Sequence, residues 1–259
     1  MAKTFIIDDF NGGRIIKLNR PDKMNAINME MISELYDVFN KMESDGNVRC
    51  VIVTGNEKFF SAGADIEGLM EIKTVPDSRR FVASYQNLFK YISRFTKPTI
   101  AAIRGYALGG GFELAISCDL LIASKGTKLG VPEVKLGALP GGGGASRLPK
   151  LVGEKVAKEM LFLGEPLSAN RMYELGLVNI ITENDDLDST ALKIGEKLSK
   201  LPFKAINEMK KLTRHVQFQA LDEGMSLEIE VFEKLWGLND FKEGVTSFLE
   251  KRPPIFNKD

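Results

Sequence analysis

Two hydrophobic periods alternate along the first half of the chain. The segments "TFIIDD", "GRIIKLN", "CVIVTG", "TIAAIRG" and "DLLIAS" are short, β-branched and bounded by turn formers, which predicts strands. Between them the period lengthens to that of a helix. In "NMEMISELYDVFNKMES" the residues Ile32, Leu35, Val38, Phe39 and Met42 share one face, and in "DSRRFVASYQNLFKYISRF" Phe81, Tyr85, Leu88 and Ile92 do the same. Asn28 and Asp77 are placed to cap these two helices. Strand alternating with helix predicts an α/β core with parallel pairing. From about Leu148 onward the pattern is nearly all helical. It runs through "GEKVAKEMLFLG", a turn of helix at "SANRMYELG", a short strand at "LVNII" and four more helical blocks, the last, "DFKEGVTSFLEKR", halted by Pro253 and Pro254. A soft boundary at Leu201–Pro202 separates a core of residues 1–200 from a helical subdomain of residues 201–259.

Composition narrows the class. A chain of 259 residues buries roughly three quarters of its unfolded surface and needs no staple to fold. A formal net charge of zero points away from a nucleic-acid or anionic-membrane surface. The two cysteines, Cys50 and Cys118, lie far apart among apolar residues and are expected to be buried, reduced thiols. "MAKTFIIDDF" does not read as a signal peptide, and no apolar run reaches the ~18 residues of a membrane span, so a cytoplasmic protein is expected.

Several chemistries are set aside. The one histidine, His215 in "KKLTRHVQ", reads as a solvated helix-surface residue, and no nucleophile elbow accompanies it. One histidine and two distant cysteines do not make a zinc site, and no metal is expected. "GGGFE" and "PGGGGAS" fit neither a dinucleotide fingerprint nor a Walker loop, so phosphate cradling is a weak reading of either.

Two segments share a logic that invites chemistry. "FFSAGADIEGL" follows the strand "CVIVTG", and "GYALGGGFELAIS" follows "TIAAIRG". Each is a strand, a turn poor in side chains and a helix start, and such turns leave backbone N–H groups open to a ligand. Two of them facing each other would form a two-donor oxyanion hole; taken singly, each is better explained by close packing of small residues. An acid accompanies this architecture twice. Glu113 sits one short turn into its helix, and Glu133 lies in "LGVPEVKLG" just after Pro132. A carboxylate pair suits proton transfer to and from carbon and water. The plainer readings are a carboxylate favoured by the helix dipole for Glu113 and a solvated turn for Glu133.

These residues resemble the enoyl-CoA hydratase/isomerase (crotonase) superfamily over essentially the whole chain. The resemblance runs through "LNRPDKMNAIN", "FSAGADI", "ALGGGFELAISCD", "GVPEVKLGALPGGGG", "SRLPKLVG", "ANRMYELGLVN" and "KEGVTSFLEKRPPIF". It implies an α/β fold made of a spiral of ββα units with a helical C-terminal subdomain, assembled as a homotrimer or a dimer of trimers. It implies Glu113 and Glu133 as the catalytic pair and the amides of Ala64 and Gly110 as the oxyanion hole. Lys23, Met24, Ala62, Asp65 and Ile66 would line the coenzyme A site, with the Ala62 carbonyl meeting the adenine. Phe232, Phe248 and Lys251 match C-terminal positions that complete such a site, often a neighbour's; from the residues alone, the two phenylalanines read as helix-face core and Lys251 as a cation at a helix C-terminus. Leu69, Met70, Val131 and Gly141 would border the acyl chain.

The implied reaction is reversible hydration of a trans-2-enoyl-CoA, with Glu113 as base towards water and Glu133 as the acid towards C2. No cofactor is implied beyond the coenzyme A carried by the substrate. Departures fall in the acyl pocket: Leu129 and Val131 stand where hydratases often carry phenylalanine and glutamine, and "PGGGGASRL" replaces the usual "PGAGGTQRL". Double-bond isomerisation or dehydration of a decorated acyl-CoA is the alternative within the superfamily. RNA binding by the basic helix of "NEMKKLTRHVQ", through Lys210, Lys211 and Arg214, is the alternative from another class; a solvated charged face is the better reading, and no nucleic acid is expected.

Overall fold

The computed structural model describes residues 4–216, 221–236 and 238–257, with the backbone alone for 215, 216 and 221–228. A hairpin opens the chain: β1 (Phe5–Phe10) and β2 (Gly13–Leu18) pair antiparallel with Phe5 opposite Leu18. Helix α1 (Met29–Ser44) leads to β3 (Cys50–Thr54), and α2 (Ile66–Met70) and α3 (Val75–Arg94) lead to β4 (Thr99–Ile103). The short β5 (Tyr106–Leu108) runs into α4 (Gly110–Ala115), followed by β6 (Leu120–Ser124) and β7 (Lys128–Gly130). Next come α5 (Gly144–Val152), α6 (Glu154–Leu163), β8 (Leu167–Ser168), α7 (Ala169–Glu174), β9 (Ile180–Thr182) and α8 (Leu187–Ser199). Helices α9 (Phe203–Val216), α10 (Leu221–Trp236) and α11 (Asn239–Leu249) finish the chain.

The main sheet has the order β1-β2-β3-β4-β6-β9 and is parallel after the first pair. Every residue of β3 and β4 is buried, because helices cover both faces of the sheet. Leu35 and Phe39 of α1 and Leu88 and Phe89 of α3 join Val51, Val53 and Ala101 on one side. Leu187 and Ala191 of α8 join Cys50, Ile52, Ile100 and Ile122 on the other. Both cysteines are free and buried, and burial pushes each thiol up to about 12.

Asn28 caps α1, accepting the Met31 N–H at 2.9 Å. Asp77 is not the cap of α3. The helix begins earlier, at Val75-Pro76, because proline is tolerated in a first turn. Thr74 is the cap, and Asp77 returns the bond from the third helical position as the partner in a capping box.

The second sheet, β5-β7-β8, is built of strands of two or three residues. They are too short to show a period, and the sequence pattern does not predict them. Their pairing matters most for the site. Leu108 lies opposite Gly130 in parallel register, and the next residue, Gly109, donates its N–H to Gly130 O at 2.9 Å. The glycine turn that leads to Glu113 and the segment that leads to Glu133 therefore leave this small sheet side by side. Among the described residues no helix is long and apolar enough to cross a membrane.

Candidate active site

The two turns meet. Ile27 N–H donates to Gly63 O at 2.8 Å, Asp65 N–H to Ile27 O at 2.9 Å, and Leu108 N–H to Ser61 O at 3.0 Å, which pins the first turn against the second. The approach is close enough to require glycine. A Cβ at Gly63, whose φ is +111°, would lie 2.9 Å from Leu108 O and 3.5 Å from Gly110 N. A Cβ at Gly110 would lie 3.3 Å from Ala64 N, and one at Gly111 would lie 2.6 Å from the Ser61 Cβ. The Ala64 and Gly110 amides are thus neighbours. Gly110 is the first residue of α4 and has no intrahelical acceptor, and among the described residues neither amide has a backbone acceptor outside regular secondary structure.

Glu113 lies in the first turn of α4, where the helix dipole favours a carboxylate, and is 3% exposed. Its carboxylate rests on the glycine loop before α5, where Gly144 N–H donates to Oε1 at 2.7 Å. Burial raises its pKa above the usual carboxylate value, while the N–H groups of Gly144, Gly142 and Gly143 and the charge of Arg147 pull it back down. The run "PGGGG" is explained by this approach: a Cβ at Gly142 would lie 2.6 Å from the Phe89 ring and 2.7 Å from Glu113 Oε2. The loop that fits no phosphate motif cradles a carboxylate instead.

Glu133 lies in a 3-10 turn spanning Pro132–Leu136 and is half-buried, which replaces the solvated-turn reading. Its Oε2 is buried with no hydrogen-bond partner among the described residues. Burial pushes its pKa up to about 7 against an opposing backbone hydrogen bond, and the Glu113 charge adds a smaller upward push. The side chain lies against the second turn: Gly109 adopts φ +50°, and a Cβ there would be 2.8 Å from Glu133 Oε1.

The remaining site residues fall into three groups. Lys23, Met24, Ala62, Asp65 and Ile66 come together, with Ala62 N–H donating to Met24 O at 3.0 Å. Met24 and Ile66 are exposed, and Lys23 pairs with Glu67 at 2.5 Å. Asp65 is buried; it accepts from Arg20 at 2.8 Å and caps α2, so its side chain holds the Ala64 turn in place. Leu69 is partly buried, Met70 exposed and Val131 buried. Gly141 packs against Val82, and its carbonyl accepts from Gln86 Nε2 at 2.8 Å. Phe232 and Phe248 are 58% and 83% exposed, which overturns their reading as core; α10 and α11 pack with other faces inward. Lys251 is also exposed, just past α11, and none of the contacts among the described residues joins these three to the glutamates.

The basic helix is largely internally engaged. Lys210 binds Asp119 at 2.6 Å, Lys211 binds Glu208 at 2.7 Å, and Arg214 donates to Ser93 O at 3.3 Å. The side chain of His215 lies outside the described residues. Sequence reasoning missed Tyr85 as a site residue: its ring borders Gly110 and its hydroxyl donates to Ile27 O, behind the first turn. It also missed Arg147, which stands behind Glu113. The signal for Tyr85 was helical spacing, which reads it as packing, and Arg147 stood only within the segment "SRLPKLVG" with no role attached.

The chain is similar to known proteins over nearly all of its length. The family model described as enoyl-CoA hydratase/isomerase matches residues 11–259. The crotonyl-CoA hydratase of Syntrophomonas wolfei is 37% identical over 93% of either chain. The short-chain-enoyl-CoA hydratase of Clostridium acetobutylicum is 38% identical over 92% of this chain and 91% of its own. Among solved structures, an enoyl-CoA hydratase from Bacillus anthracis superposes with a TM-score of 0.95 at 32% identity, covering 99% of this chain and 100% of its own. A spiral α/β core, a helical C-terminal region and a match to the family model over residues 11–259 lead to one conclusion: this chain belongs to the enoyl-CoA hydratase/isomerase family.

Proposed function

We propose that this protein is a lyase that adds water reversibly across the double bond of a short trans-2-enoyl-CoA, giving a 3-hydroxyacyl-CoA. The observation that carries the reading is the contrast between two carboxyl groups at one glycine turn. Glu113 is surrounded by donors that favour its anion, whereas Glu133 is dry on one oxygen and favours its proton. Groups whose surroundings separate them in this way are suited to serve as base and acid at neutral pH.

The thioester oxygen accepts the Ala64 and Gly110 amides. Glu113 takes a proton from water as its oxygen bonds to C3. The electron pair of the double bond moves towards the thioester, where the two amides hold the negative charge. Glu133 delivers its proton to C2. Water addition to a conjugated thioester asks for these proton transfers and this charge stabilisation, and nothing in it calls for a metal or a redox cofactor. Coenzyme A arrives with the substrate along Lys23, Met24, Ala62 and Ile66. Phe232, Phe248 and Lys251 serve a neighbour's site in a trimer or dimer of trimers, a reading their exposure supports. The names of the two relatives support a short acyl chain.

The test is hydration of crotonyl-CoA by E113Q and E133Q. Each is expected to lose about 10²–10⁴ in kcat while remaining folded. Full activity in either variant removes the two-carboxylate mechanism. Rapid isomerisation of a 3-enoyl-CoA with slow hydration would instead favour the isomerase reading.

A further inference from the structure

The role of Glu113 as base, taken from the reading above, leaves open what holds it there from behind. Arg147 on α5 donates through Nη1 to Ser117 Oγ at 2.8 Å and to Ile116 O at 3.4 Å, and through Nη2 to Phe89 O at 3.2 Å. Ser117 Oγ in turn donates to the main-chain carbonyl of Glu113 at 2.6 Å. Arg147 also lies in the same helix as Gly144, whose N–H holds the Glu113 carboxylate. One guanidinium thus joins the end of the helix carrying Glu113, the helix whose Phe89 ring bounds Gly142, and the helix start that supplies the donor.

We propose that Arg147 is a positioning residue of the hydration reaction, orienting Glu113 and keeping a positive charge behind it without touching the substrate. A side chain that only capped α4 would need one of these contacts. The fork spans three, as a planar guanidinium can and a single ammonium cannot. Its charge also acts on Glu113 directly, favouring the carboxylate, and Glu113 favours the charged form of Arg147 in return. Other ionisable groups near Glu113 are Glu133 across the site and Tyr85 on α3. Behind Arg147 a cavity of about 680 Å³ is bounded by Lys90 and Arg94 of α3, Lys150 of α5, and Lys210 and Arg214 of α9. Asp119, the carboxylate at this cavity, already accepts from Lys210 and from Thr99.

The experiment compares R147Q, R147K and S117A for kcat, KM, the pH profile of kcat/KM with crotonyl-CoA, and thermal unfolding. R147Q is expected to lose kcat by roughly tenfold or more with KM nearly unchanged, the scale of one charged hydrogen bond. Its acid limb should move up by roughly one pH unit, because a base without a neighbouring cation takes its proton sooner. R147K should keep the acid limb where the parent has it and recover part of kcat. S117A, which keeps the charge, should lower kcat with no movement of the limb. An unmoved limb in folded R147Q, or identical profiles for R147K and R147Q, overturns the proposal while leaving the hydratase reading intact. If R147Q does not fold, a shifted limb in R147K or S117A overturns it equally. Undiminished hydration by E113Q is the separate result that would remove the base assignment itself.

Discussion

Glu113 and Glu133 are the same residue type at the ends of two adjacent segments, and burial raises the pKa of both, but the fold offsets that burial to different degrees. Glu113 is the more deeply buried, which alone would make it the better proton holder. Backbone donors at the start of α5 oppose that tendency without overcoming it, with Gly144 at 2.7 Å. Glu133 is less buried but has one opposing backbone hydrogen bond against Glu113's three, and its pKa rises to about 7. Burial depth is thus the wrong variable for assigning acid and base here. The number of N–H groups aimed at each carboxylate decides it.

Filling the glycines that create this difference should have the largest effect after loss of the glutamates themselves. In G142A the new methyl would sit 2.6 Å from Phe89 and 2.7 Å from Glu113 Oε2, so the donor loop must move off the base. In G109A the chain is strained at φ +50° and the methyl would lie 2.8 Å from Glu133 Oε1, so the acid must move. Each is expected to lower kcat by about 10²-fold, the scale of misplacing a reacting group by an ångström. The pH profiles should separate them. G142A, by withdrawing donors from Glu113, should raise the acid limb of kcat/KM, and G109A should alter the alkaline limb. Identical profiles would break the assignment of one limb to each carboxylate.

A milder test needs no substitution. With Glu113 as base and Glu133 as acid, kcat/KM in the free enzyme rises as Glu113 loses its proton and falls as Glu133 does, the latter near the value of about 7 that burial imposes. The two groups are coupled, so these limbs belong to the pair. A rate that keeps climbing well above neutral pH would contradict the protonated state of Glu133.

Much of this contrast could be read in the chain, and the unread part has definite causes. The long strands and amphipathic helices show their periods, and Asn28 shows its cap. Glu113, Glu133 and both side-chain-poor turns were visible because small residues and acids are unusual beside apolar runs. The dryness of Glu133 was not visible, since it follows from the pairing of β5 with β7, and three-residue strands carry no readable period. The donors to Glu113 come from a loop about thirty positions downstream, a contact that spacing cannot encode. Phe232 and Phe248 illustrate the reverse error: helical spacing predicts a covered face, whereas both rings stand exposed.

The smallest of the expected effects concerns stability, and its sign follows from the same contrast. In the unfolded chain Glu133 loses its proton near the ordinary 4.5, but in the folded protein it holds it up to about 7. Below 4.5 both states are protonated and pH has no effect through this group. Between these values the unfolded state alone releases the proton, so stability falls as pH rises, and above about 7 the penalty is constant. The full penalty is of order 2 kcal/mol once the partial exposure of the side chain is allowed for. E133Q cannot ionise, so its stability relative to the parent should rise by most of that amount between pH 5 and pH 8. Denaturant unfolding of both proteins at the two pH values measures this directly. A difference that stays flat means that Glu133 is ionised in the fold at neutral pH, and the acid that protonates C2 would have to be sought elsewhere.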